Sequence, residues 1–307
     1  MKEQWCLRVP IQNGEIARKQ AIAENVLDRT LRPHAEEGYL LIPILSSNYG
    51  GQRAIFAENR TIEKLPRHEQ IGGIVILHDD DVTGAKKILA ARPSVHTALF
   101  ATSPVEGEFR TKTFKVLAGK STTKTMYYEY GHRMAIDLTA AYFSARLANE
   151  RQRILSHMQL GERILDMFAG VGPFPIILGN RAKLVIANDL NPSAVLLMIK
   201  NIRLNHLTNI LPILSDAKNL AEILAPMKFD RIIMNLPMDA ITYLSRAAPL
   251  TKAGTIIHLY SLIKKEGEHN EDILNVFPNA KITERIIRSY SPTSWHAVYD
   301  IEVTACE

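Results

Sequence analysis

The sequence predicts an α/β protein built around a Rossmann-like, seven-stranded sheet, preceded by a small N-terminal α/β domain and a middle α+β domain. Two observations predict the sheet. After residue 160, apolar strand-like segments alternate with helical ones, as in parallel, doubly wound sheets. The first of these strands runs into a glycine-containing turn that precedes a helix, which is where open α/β sheets bind ligands.

The composition favours a soluble globular protein, for which the cytoplasm is the default compartment. Of the 307 residues 46% are hydrophobic, yet no apolar run approaches the length of a membrane span, and no signal peptide is visible. Cys6 and Cys306 support neither a disulfide framework nor a metal cluster, and the ten histidines lack metal-site spacing. We therefore expect no membrane, no metal and no obligate protein partner.

Residues 1–58 form the predicted N-terminal domain. Apolar and helical patterns predict a strand at 5–10, a helix at 14–25 and a strand at 39–43. Polar residues, glycine and proline dominate 50–70, which we interpret as a linker. The sequence therefore places a domain boundary near residue 60.

Residues 59–148 form the predicted middle domain. It begins with an apolar strand and a helix, and two further strands follow, joined by a turn at Gly119-Lys120 as a hairpin. The predicted ranges, in order, are 73–78, 81–92, 110–116 and 124–130.

Basic and aromatic side chains are interleaved on that predicted hairpin. This mixture suits phosphate neutralisation combined with base stacking, although an exposed strand face with solvated charges is an equally good interpretation. The basic residues are Arg110, Lys112, Lys115, Lys120, Lys124 and Arg133, and the aromatic residues are Phe114, Tyr127, Tyr128 and Tyr130.

Residues 139–157 show a helical pattern that leads into the third predicted domain, 149–307. Tyr142, Arg146 and Glu150 recur every four residues and are expected on one helix face. A helix at 193–205 follows Asn191-Pro192, since proline is tolerated at the first helical position. The seven predicted strands are 163–168, 184–189, 210–215, 231–235, 255–260, 281–290 and 297–304.

The first turn of this sheet, residues 166–172, reads Asp-Met-Phe-Ala-Gly-Val-Gly. Gly170 and Gly172 permit close backbone approach, and Asp189 ends the next strand, where it can accept hydrogen bonds from both hydroxyls of a ribose. The pattern therefore indicates a nucleoside cofactor. A dinucleotide is disfavoured because Pro175 stands near the place of the third glycine.

The third and fourth strands end in two further polar motifs. Ser215-Asp216-Ala217 provides an acid suited to an adenine amine, with an ordinary helix N-cap as the alternative. Asn235-Leu236-Pro237 ends a buried apolar strand, where a polar residue needs partners. Together with Asp166, the two glycines and Asp189, these motifs resemble the sheet of an S-adenosylmethionine-dependent methyltransferase.

The Asn-Leu-Pro motif narrows the resemblance. Methyltransferases acting on planar nitrogen usually carry Asn/Asp-Pro-Pro-aromatic, whereas Asn-Leu-Pro resembles the Trm5 family of tRNA guanine-N1 methyltransferases. The small N-terminal unit is similar to the extra archaeal domain that reads the outer corner of tRNA. The matching segments are 108–111, 142–144, 146–147, 150–151, 166–174, 189–192, 215–216, 235–237 and 289–292.

The resemblance implies methylation of N1 of guanosine at tRNA position 37, with contacts to the anticodon loop and outer corner. It implies S-adenosyl-L-methionine as cofactor and S-adenosylhomocysteine as product. Glu150 is the implied general base and Arg110 its partner, which stabilises charge on O6. Asn235 holds the base edge, and Tyr142 shapes the pocket for an extruded nucleotide.

The resemblance also implies the residues of the two binding surfaces. Arg146 joins the basic residues named above as an RNA contact. Ala145 departs from the family's proline, which can prolong the helix and move Glu150 relative to Arg146. The implied cofactor residues are Arg151, Asp166, Phe168, Ala169, Gly170, Val171, Gly172, Asp189, Leu190, Asn191, Asp216, Ala217, Asn235, Leu236 and Pro237.

Three alternatives stay open at this point. The substrate base can be a wyosine intermediate, methylated at C7 of 4-demethylwyosine. The enzyme can instead transfer the aminocarboxypropyl arm of the cofactor, although Asn235-Leu236-Pro237 argues against this. A tRNA-binding relative without catalysis is the third alternative, and Asp189, Asn235 and Glu150 argue against it.

Overall fold

The computed structural model describes residues 1–47, 52–58 and 65–304, and the chain divides into two compact units, Met1–Leu65 and Pro66–Glu307. Within those ranges no helix has the length and apolar character needed to cross a membrane. The predicted boundary near residue 60 lies outside the described residues. A separate middle domain within the second unit stays a prediction.

The N-terminal unit is a five-stranded antiparallel sheet with one helix. The predicted linker is wrong in part, because Gln52–Glu58 is a strand that pairs antiparallel with the first strand. Its side chains are mostly exposed and only Phe56 is buried, so backbone pairing forms it with little apolar patterning. The elements are β1 (Lys2–Pro10), α1 (Gly14–Ala23), β2 (Leu31–Arg32), β3 (His34–Glu36), β4 (Tyr39–Pro43) and β5 (Gln52–Glu58), in sheet order β2-β5-β1-β4-β3.

The second unit begins with a four-stranded sheet. Asp81 caps its helix, accepting a 2.8 Å hydrogen bond from the Gly84 amide. The predicted linker also overlaps its first strand, His68–Ile71. The elements are β6 (His68–Ile71), β7 (Ile74–Leu77), α2 (Val82–Ala91), β8 (Thr97–Ala101) and β9 (Phe114–Gly119), in the order β6-β7-β8-β9.

The predicted hairpin between 110–116 and 124–130 is wrong. Strand β9 pairs antiparallel with β8, while β10 (Lys124–Glu129) pairs with β11 (His132–Asp137) in a separate two-stranded sheet. The turn that joins β10 and β11 is Tyr130-Gly131, with φ of 46° and 81°. Two successive positive φ values are typical of the tight hairpin turn that matches strand twist. The basic residues are therefore divided between two sheets and their loops.

The seven-stranded sheet is confirmed, in the order β14-β13-β12-β15-β16-β18-β17. Its first five strands are parallel, and β18 runs antiparallel to both β16 and β17. The last two strands are joined by a short turn, which permits only antiparallel pairing. The strands are β12 (Arg163–Asp166), β13 (Leu184–Asp189), β14 (Ile210–Leu214), β15 (Arg231–Met234), β16 (Ile256–Ile263), β17 (Lys281–Ser291) and β18 (Ser294–Glu302).

Alternation along these strands builds two apolar cores. Ile164 belongs to the core that also contains Ile154, whereas its neighbour Leu165 belongs to the core on the opposite face. Asn191 caps the longest helix by accepting from the Ser193 amide at 2.9 Å. The helices are α3 (Ala148–His157), α4 (Pro173–Gly179), α5 (Pro192–Leu204), α6 (Leu220–Ile223), α7 (Leu244–Ala247) and α8 (Asn270–Val276).

The predicted helix 139–157 is wrong in its first part. Residues 139–144 are not helical, a single 3₁₀ turn spans Ala145–Leu147, and α3 begins only at Ala148. The Ser144 hydroxyl accepts a hydrogen bond from the Arg146 amide at 3.4 Å and so caps this turn. Ala145 therefore does not prolong the helix, and Tyr142 does not share a helix face with Glu150.

Candidate active site

The carboxyl edge of the parallel strands gathers the polar residues that the sequence singled out. In the register of the sheet, Asp166 lies between Ala187 of β13 and Ile233 of β15. Asp189 ends β13, and Asn235 directly follows β15. Because parallel strands end at the same edge, these three side chains come from adjacent strands at one end of the sheet.

Asp189 connects the glycine turn to the loop that follows β13. Its Oδ2 accepts a hydrogen bond from the Gly170 amide at 2.7 Å, and its Oδ1 accepts from the Asn191 amide at 2.9 Å. Burial raises the pKa of Asp189 although these backbone bonds oppose the shift. Each carboxylate oxygen has capacity for a further bond, so hydroxyl donors can still be accepted here.

Asp166 is the most incompletely bonded carboxyl group of the edge. It is 1% exposed, its Oδ1 accepts a 3.2 Å bond from the Phe168 amide, and its Oδ2 has no hydrogen-bond partner. Burial, with a smaller contribution from the charge of Asp189, raises the pKa of Asp166 to about 8. A buried carboxyl oxygen without a partner fits a site that receives a cation or a hydrogen-bond donor.

The two glycines of the turn serve different purposes. Gly170 has a φ of 56°, and a side chain there meets only the Tyr142 carbonyl oxygen, at 3.7 Å, so a ligand can approach the backbone. Gly172 has a φ of 91°, but a Cβ atom would lie 3.0 Å from the Met198 side chain. Gly172 is thus required for packing the turn on α5. Of the two glycines, only Gly170 permits the close approach of a ligand to the backbone that the sequence predicted for both.

Two asparagines hold the segment around Tyr142 against the glycine turn. Asn191 Nδ2 donates to the Ala140 carbonyl at 2.7 Å, and Asn201 Nδ2 donates to the carbonyls of Ala135 and Val171 at 3.1 and 3.0 Å. The Tyr142 side chain is 49% exposed beside this turn. The structure thus brings Tyr142 to the cofactor edge, although by a loop and not by a helix.

The remaining predicted cofactor residues occupy varied surroundings. Asp216 caps a 3₁₀ turn, accepting from the Lys218 amide at 2.9 Å, which is the alternative that the sequence left open. The ring of Phe168 meets that of Tyr243 edge-on at 5.2 Å. Ala169, Val171 and Ala217 are buried, Leu190 is exposed, and Leu236 and Pro237 are half-buried.

Arg151 points into the core and not towards solvent. It is 1% exposed, and its Nε and Nη2 each donate to Glu129 of β10 at 2.6 Å. Its guanidinium also lies 5.7 Å from the ring centre of Phe174, at the start of α4. Arg151 thereby connects α3, β10 and the helix that follows the glycine turn.

Arg110 lies against the loop that begins at Asn235. Its Nη1 is 3.9 Å from Asp239 Oδ2, and its backbone has a φ of 53°, which few residues other than glycine adopt. Arg110 Nη1 and Asn235 Oδ1 are both buried without a hydrogen-bond partner. A donor and an acceptor that the fold leaves unused thus occur at this loop, as expected where a polar substrate binds.

Glu150 lies in the first turn of α3, and its side chain is 10% exposed. Its ion-pair partner is Arg153, whose Nε donates to Glu150 Oε2 at 2.9 Å. Beyond Arg153 lies Asp300 of β18. The buried carboxylate therefore already has a positive partner from its own helix.

The predicted RNA contacts are spread over several elements. Lys120 and Lys124 are exposed, whereas Lys112 is half-buried in the loop before β9. Three others are engaged within the protein: Lys115 pairs with Asp80 at 2.6 Å, Arg146 pairs with Glu69 at 2.6 Å, and Arg133 donates to the Leu204 carbonyl at 3.1 Å. Tyr128 and Tyr130 are exposed, but Tyr127 and Phe114 pack on the core.

Several residues that shape this site were not singled out from the sequence. Asp239 lies four residues beyond Asn235 and meets Arg110, whereas Arg153 lies one helical turn after Glu150. The Glu-x-x-Arg spacing was a usable signal for the second pair, since residues three apart on a helix are neighbours. Asn201 and Asp300 gave no local signal because their partners are remote in sequence.

The edge fits an S-adenosylmethionine-type cofactor on three observations. Asp166 Oδ2 lacks a partner, Gly170 leaves its backbone open, and Asp189 keeps acceptor capacity for ribose hydroxyls. Among the described residues, no group of three His, Cys, Asp or Glu side chains is arranged to hold a metal ion.

Two family models match the chain. The TRM5/TYW2 methyltransferase domain matches residues 125–285, and the tRNA methyltransferase 5 N-terminal domain matches residues 6–50. The first covers the hairpin of β10 and β11 and most of the seven-stranded sheet. The second lies within the N-terminal unit.

Individual relatives agree with the family models. The chain is 34% identical to tRNA (guanine(37)-N(1))-methyltransferase Trm5b of Pyrococcus abyssi, over 97% of this chain and 98% of the relative. A crystal structure of Trm5b from Pyrococcus abyssi superposes with a TM-score of 0.77, at 31% identity, covering 98% of this chain and 100% of that one. The structure of aTrm5 in complex with tRNALeu gives a TM-score of 0.72 at 28% identity, covering 98% and 100%.

A relative with a different substrate matches a shorter part of the chain. This is tRNA 4-demethylwyosine(37)-methyltransferase Taw21 of Saccharolobus solfataricus, 35% identical over 77% of this chain and 93% of the relative. Because the Trm5b match spans nearly the whole chain and both Trm5-type domains are present, the chain belongs to the Trm5 family of methyltransferases.

Proposed function

We propose that this chain transfers a methyl group from S-adenosylmethionine to N1 of the guanosine at position 37 of tRNA. The observation that carries the proposal is the 3.9 Å approach of Arg110 to Asp239, which puts a guanidinium against the loop of Asn235. The name of the Pyrococcus abyssi relative supports the same reaction, and the aTrm5–tRNALeu complex supports tRNA as the partner.

The cofactor would be held by Asp166, Asp189, Gly170 and the loop at 190–191. When bound, it supplies an electrophilic methyl group on a sulfonium centre. The partnerless Oδ2 of Asp166 suits a positively charged ligand, because a nearby cation favours the ionised carboxylate. Asp189, already held by two backbone amides, can orient the ribose.

The substrate guanine must lose its N1 proton, and this calls for a base inside the site. Glu150 is the proposed base, since it is a buried carboxylate at the start of α3 and Arg153 keeps it in one orientation. As N1 loses its proton, negative charge develops on the guanine O6. Arg110 Nη1 is a buried donor without a hydrogen-bond partner and can stabilise that charge.

Arg110 is free to exchange partners when the substrate arrives. Asp239 is 63% exposed and its Oδ2 lies 3.9 Å from Arg110 Nη1, so this ion pair is long and its carboxylate can turn to water. Asn235 contributes the complementary acceptor, because its Oδ1 is buried without a partner and the guanine edge offers N–H donors. The half-exposed Tyr142 can then line the pocket for the extruded nucleotide.

Contacts to the rest of the tRNA are part of the proposal. Exposed Lys120 and Lys124 suit the phosphate backbone, and exposed Tyr128 and Tyr130 suit stacking on bases. The N-terminal unit is proposed to contact the outer corner of the tRNA. A cytoplasmic location belongs to the same proposal.

Two rival reactions use the same sheet. The similarity to Taw21 favours C7 methylation of 4-demethylwyosine, but that relative matches only 77% of this chain, against 97% for Trm5b. A tRNA(Phe) (4-demethylwyosine(37)-C(7)) aminocarboxypropyltransferase of Methanocaldococcus jannaschii matches 76% at 29% identity. The match to the tRNA methyltransferase 5 N-terminal domain supports methylation of guanosine N1 over these two rival reactions.

Isotope position separates these reactions. The full chain is incubated with unmodified tRNA and S-adenosylmethionine labelled in either its methyl or its carboxyl carbon. We expect the methyl label to enter the tRNA, and replacement of guanosine 37 by adenosine to prevent this. Entry of the carboxyl label supports aminocarboxypropyl transfer instead. Label entering only tRNA that already carries 4-demethylwyosine supports the C7 reaction.

A further inference from the structure

Below Glu150, buried charged side chains form a continuous column across one face of the seven-stranded sheet. The apolar core on that face includes Ile154, Phe174 and Val298. The column crosses from α3 through β18 and β16 to β15, which makes it a structural unit and not an isolated pair. In order, its members are Glu150, Arg153, Asp300, His258, Arg231 and Glu162.

Arg153 is shared by two carboxylates. Its Nε donates to Glu150 at 2.9 Å, while Nη1 and Nη2 donate to the two oxygens of Asp300 at 2.6 and 3.2 Å. Arg153 and Glu150 are 11% and 10% exposed, so water screens this arrangement little. Burial alone would lower the pKa of Arg153, but the bonds to Asp300 and Glu150 raise it above its usual range.

The protonation of His258 follows from its two neighbours. Arg231 Nη1 lies 2.6 Å from His258 Nε2, and a guanidinium only donates, so Nε2 must be the acceptor. The ring proton is therefore on Nδ1, which donates to Asp300 Oδ1 at 2.5 Å. His258 is thus neutral, in agreement with burial lowering its pKa. Burial opposes ionisation of Asp300, but the bonds from His258 and Arg153 lower its pKa well below the usual range.

The column carries one excess negative charge. Glu162 and Arg231 neutralise each other through bonds of 2.7 and 3.0 Å, and His258 is neutral. At the other end, a single guanidinium on Arg153 faces the carboxylates of Asp300 and Glu150. When Glu150 accepts a proton, the column becomes electrically neutral.

We propose that Arg153 and Asp300 are positioning residues that set the strength of Glu150 as a base. Arg153 fixes the direction of the Glu150 carboxylate, and Asp300 competes for the Arg153 charge, so that Glu150 is not held too firmly in its ionised form. This inference rests on the proposed role of Glu150 as the proton acceptor.

Other titratable groups near Glu150 do not change this balance. Tyr260 of β16 faces Glu150, but burial raises its pKa, so it stays neutral. His296 of β18 is neutral as well, because burial and then the charge of Arg288 on β17 lower its pKa to about 4. On β10, Glu129 forms its own ion pair with Arg151 at 2.6 Å. Arg153 and Asp300 are therefore the charges whose removal is expected to alter Glu150.

The test is the pH dependence of methyl transfer in single turnover, with the full chain and saturating tRNA and cofactor. Asp300→Asn leaves Arg153 to Glu150 alone, so Glu150 becomes a weaker base. We expect the pH of half-maximal rate to fall by about one pH unit and the plateau rate by about tenfold. Arg153→Gln removes the counter-charge of Glu150, so the half-maximal pH should rise by about one unit instead. Arg153→Lys keeps the positive charge, so the half-maximal pH should return towards the wild-type value.

Opposite shifts from two neighbouring substitutions separate positioning from a general loss of stability. Glu129→Gln breaks the buried ion pair between β10 and Arg151 of α3, and it should lower thermal stability without reproducing the two opposite shifts in half-maximal pH. If Asp300→Asn does not fold, the Arg153→Gln and Arg153→Lys pair still decides the matter. Unshifted profiles, or shifts in one direction for both charge-removing variants, overturn the inference.

The proposed function has its own readout in the same experiment. Glu150→Gln should abolish most turnover while methylated guanosine remains the product of the wild type. A wild-type rate for Glu150→Gln removes Glu150 as the base. An inactive Glu150→Gln together with unshifted Arg153 and Asp300 variants overturns only the inference about the column.

Discussion

Two regions of the second unit treat buried polar groups in opposite ways. In the core beneath the sheet, buried ions pair with one another, as in Arg151 with Glu129 and Arg231 with Glu162, and the partnerless atoms on β16 and β18 belong to the uncharged side chains of Tyr260, His296 and Tyr299. At the carboxyl edge, polar atoms are buried without hydrogen-bond partners. These atoms are Asp166 Oδ2, Asn188 Oδ1, Asn235 Oδ1 and Arg110 Nη1.

The difference distinguishes polar groups that serve the fold from those that serve a ligand. A buried polar atom without a partner is costly, and at the carboxyl edge a bound molecule can satisfy it. Within one sheet, the paired groups should therefore control stability, and the partnerless groups should control binding and turnover. Glu150 belongs to both groups, since it is paired with Arg153 and is proposed to act on the substrate.

The largest effect is expected from Glu150→Gln. Loss of a general base typically lowers the rate by about 10²- to 10⁴-fold, and the isosteric amide keeps the shape of the side chain. Single-turnover methylation should fall within that range while S-adenosylhomocysteine binding, measured by calorimetry, stays near wild type. Glu284→Gln, a half-buried carboxylate on β17, is the matched control. An equal loss of cofactor binding in Glu150→Gln would show that the residue serves the fold alone.

Arg110→Ala is expected to have the next largest effect. Removing one donor to a developing oxyanion costs about 10²- to 10³-fold in turnover. The single-turnover rate at saturating tRNA should therefore fall, while tRNA affinity changes little. Lys124→Ala is the contrast, since an exposed lysine should weaken tRNA affinity and leave the saturated rate alone. If Arg110→Ala behaves like Lys124→Ala, Arg110 is a phosphate contact.

Glu129→Gln tests whether the buried ion pairs beneath the sheet control stability. Breaking a buried ion pair leaves an uncompensated charge and typically costs about 3–5 kcal/mol. Arg151 is 1% exposed, so its guanidinium cannot turn to water without unfolding part of α3. Denaturant unfolding should show the loss, and Glu37→Gln, which breaks the exposed pair with Arg8, should lie within about 1 kcal/mol of wild type. Equal effects from the two substitutions would remove the distinction between the regions.

The last prediction concerns the pH dependence of stability that Asp166 confers, an effect of at most about 1.4 kcal/mol for each pH unit. Its folded pKa of about 8 lies above that of an unfolded aspartate, so between these values the folded, cofactor-free chain holds a proton that the unfolded chain has lost. The stability contribution is therefore present at low pH and is lost as pH rises towards 8, by up to about 1.4 kcal/mol per pH unit. Asp166→Asn should flatten this decline in unfolding measurements. Parallel pH profiles for the two proteins would mean that Asp166 does not titrate there.

Features that depend on local sequence were predicted well. The turn at Gly170 and Gly172, the helix that begins after Asn191 and the strand ends at Asp189 and Asn235 all follow from residues close in sequence. The five parallel strands could be predicted because buried parallel strands are continuous apolar runs. The candidate site residues at the ends of the parallel strands could therefore be identified from the sequence.

Features that depend on pairing between residues far apart in sequence were not predicted. Strand β5 consists largely of polar residues, and its identity comes from pairing with β1, about fifty residues earlier. The partner of β10 is β11 and not the segment before it, because the Tyr130-Gly131 turn sets the pairing. Likewise, Asp300 reaches Arg153 from 147 residues away, so no local pattern revealed the charged column.

The most direct test of the account is the identity of the nucleoside that the chain produces. Unmodified tRNA is incubated with the full chain and S-adenosylmethionine, digested, and the nucleosides are analysed by mass spectrometry against standards. We expect 1-methylguanosine at position 37, formed by the wild type and strongly reduced in Glu150→Gln. A methyl group on another atom or position, or no product from guanosine-37 tRNA, would contradict it.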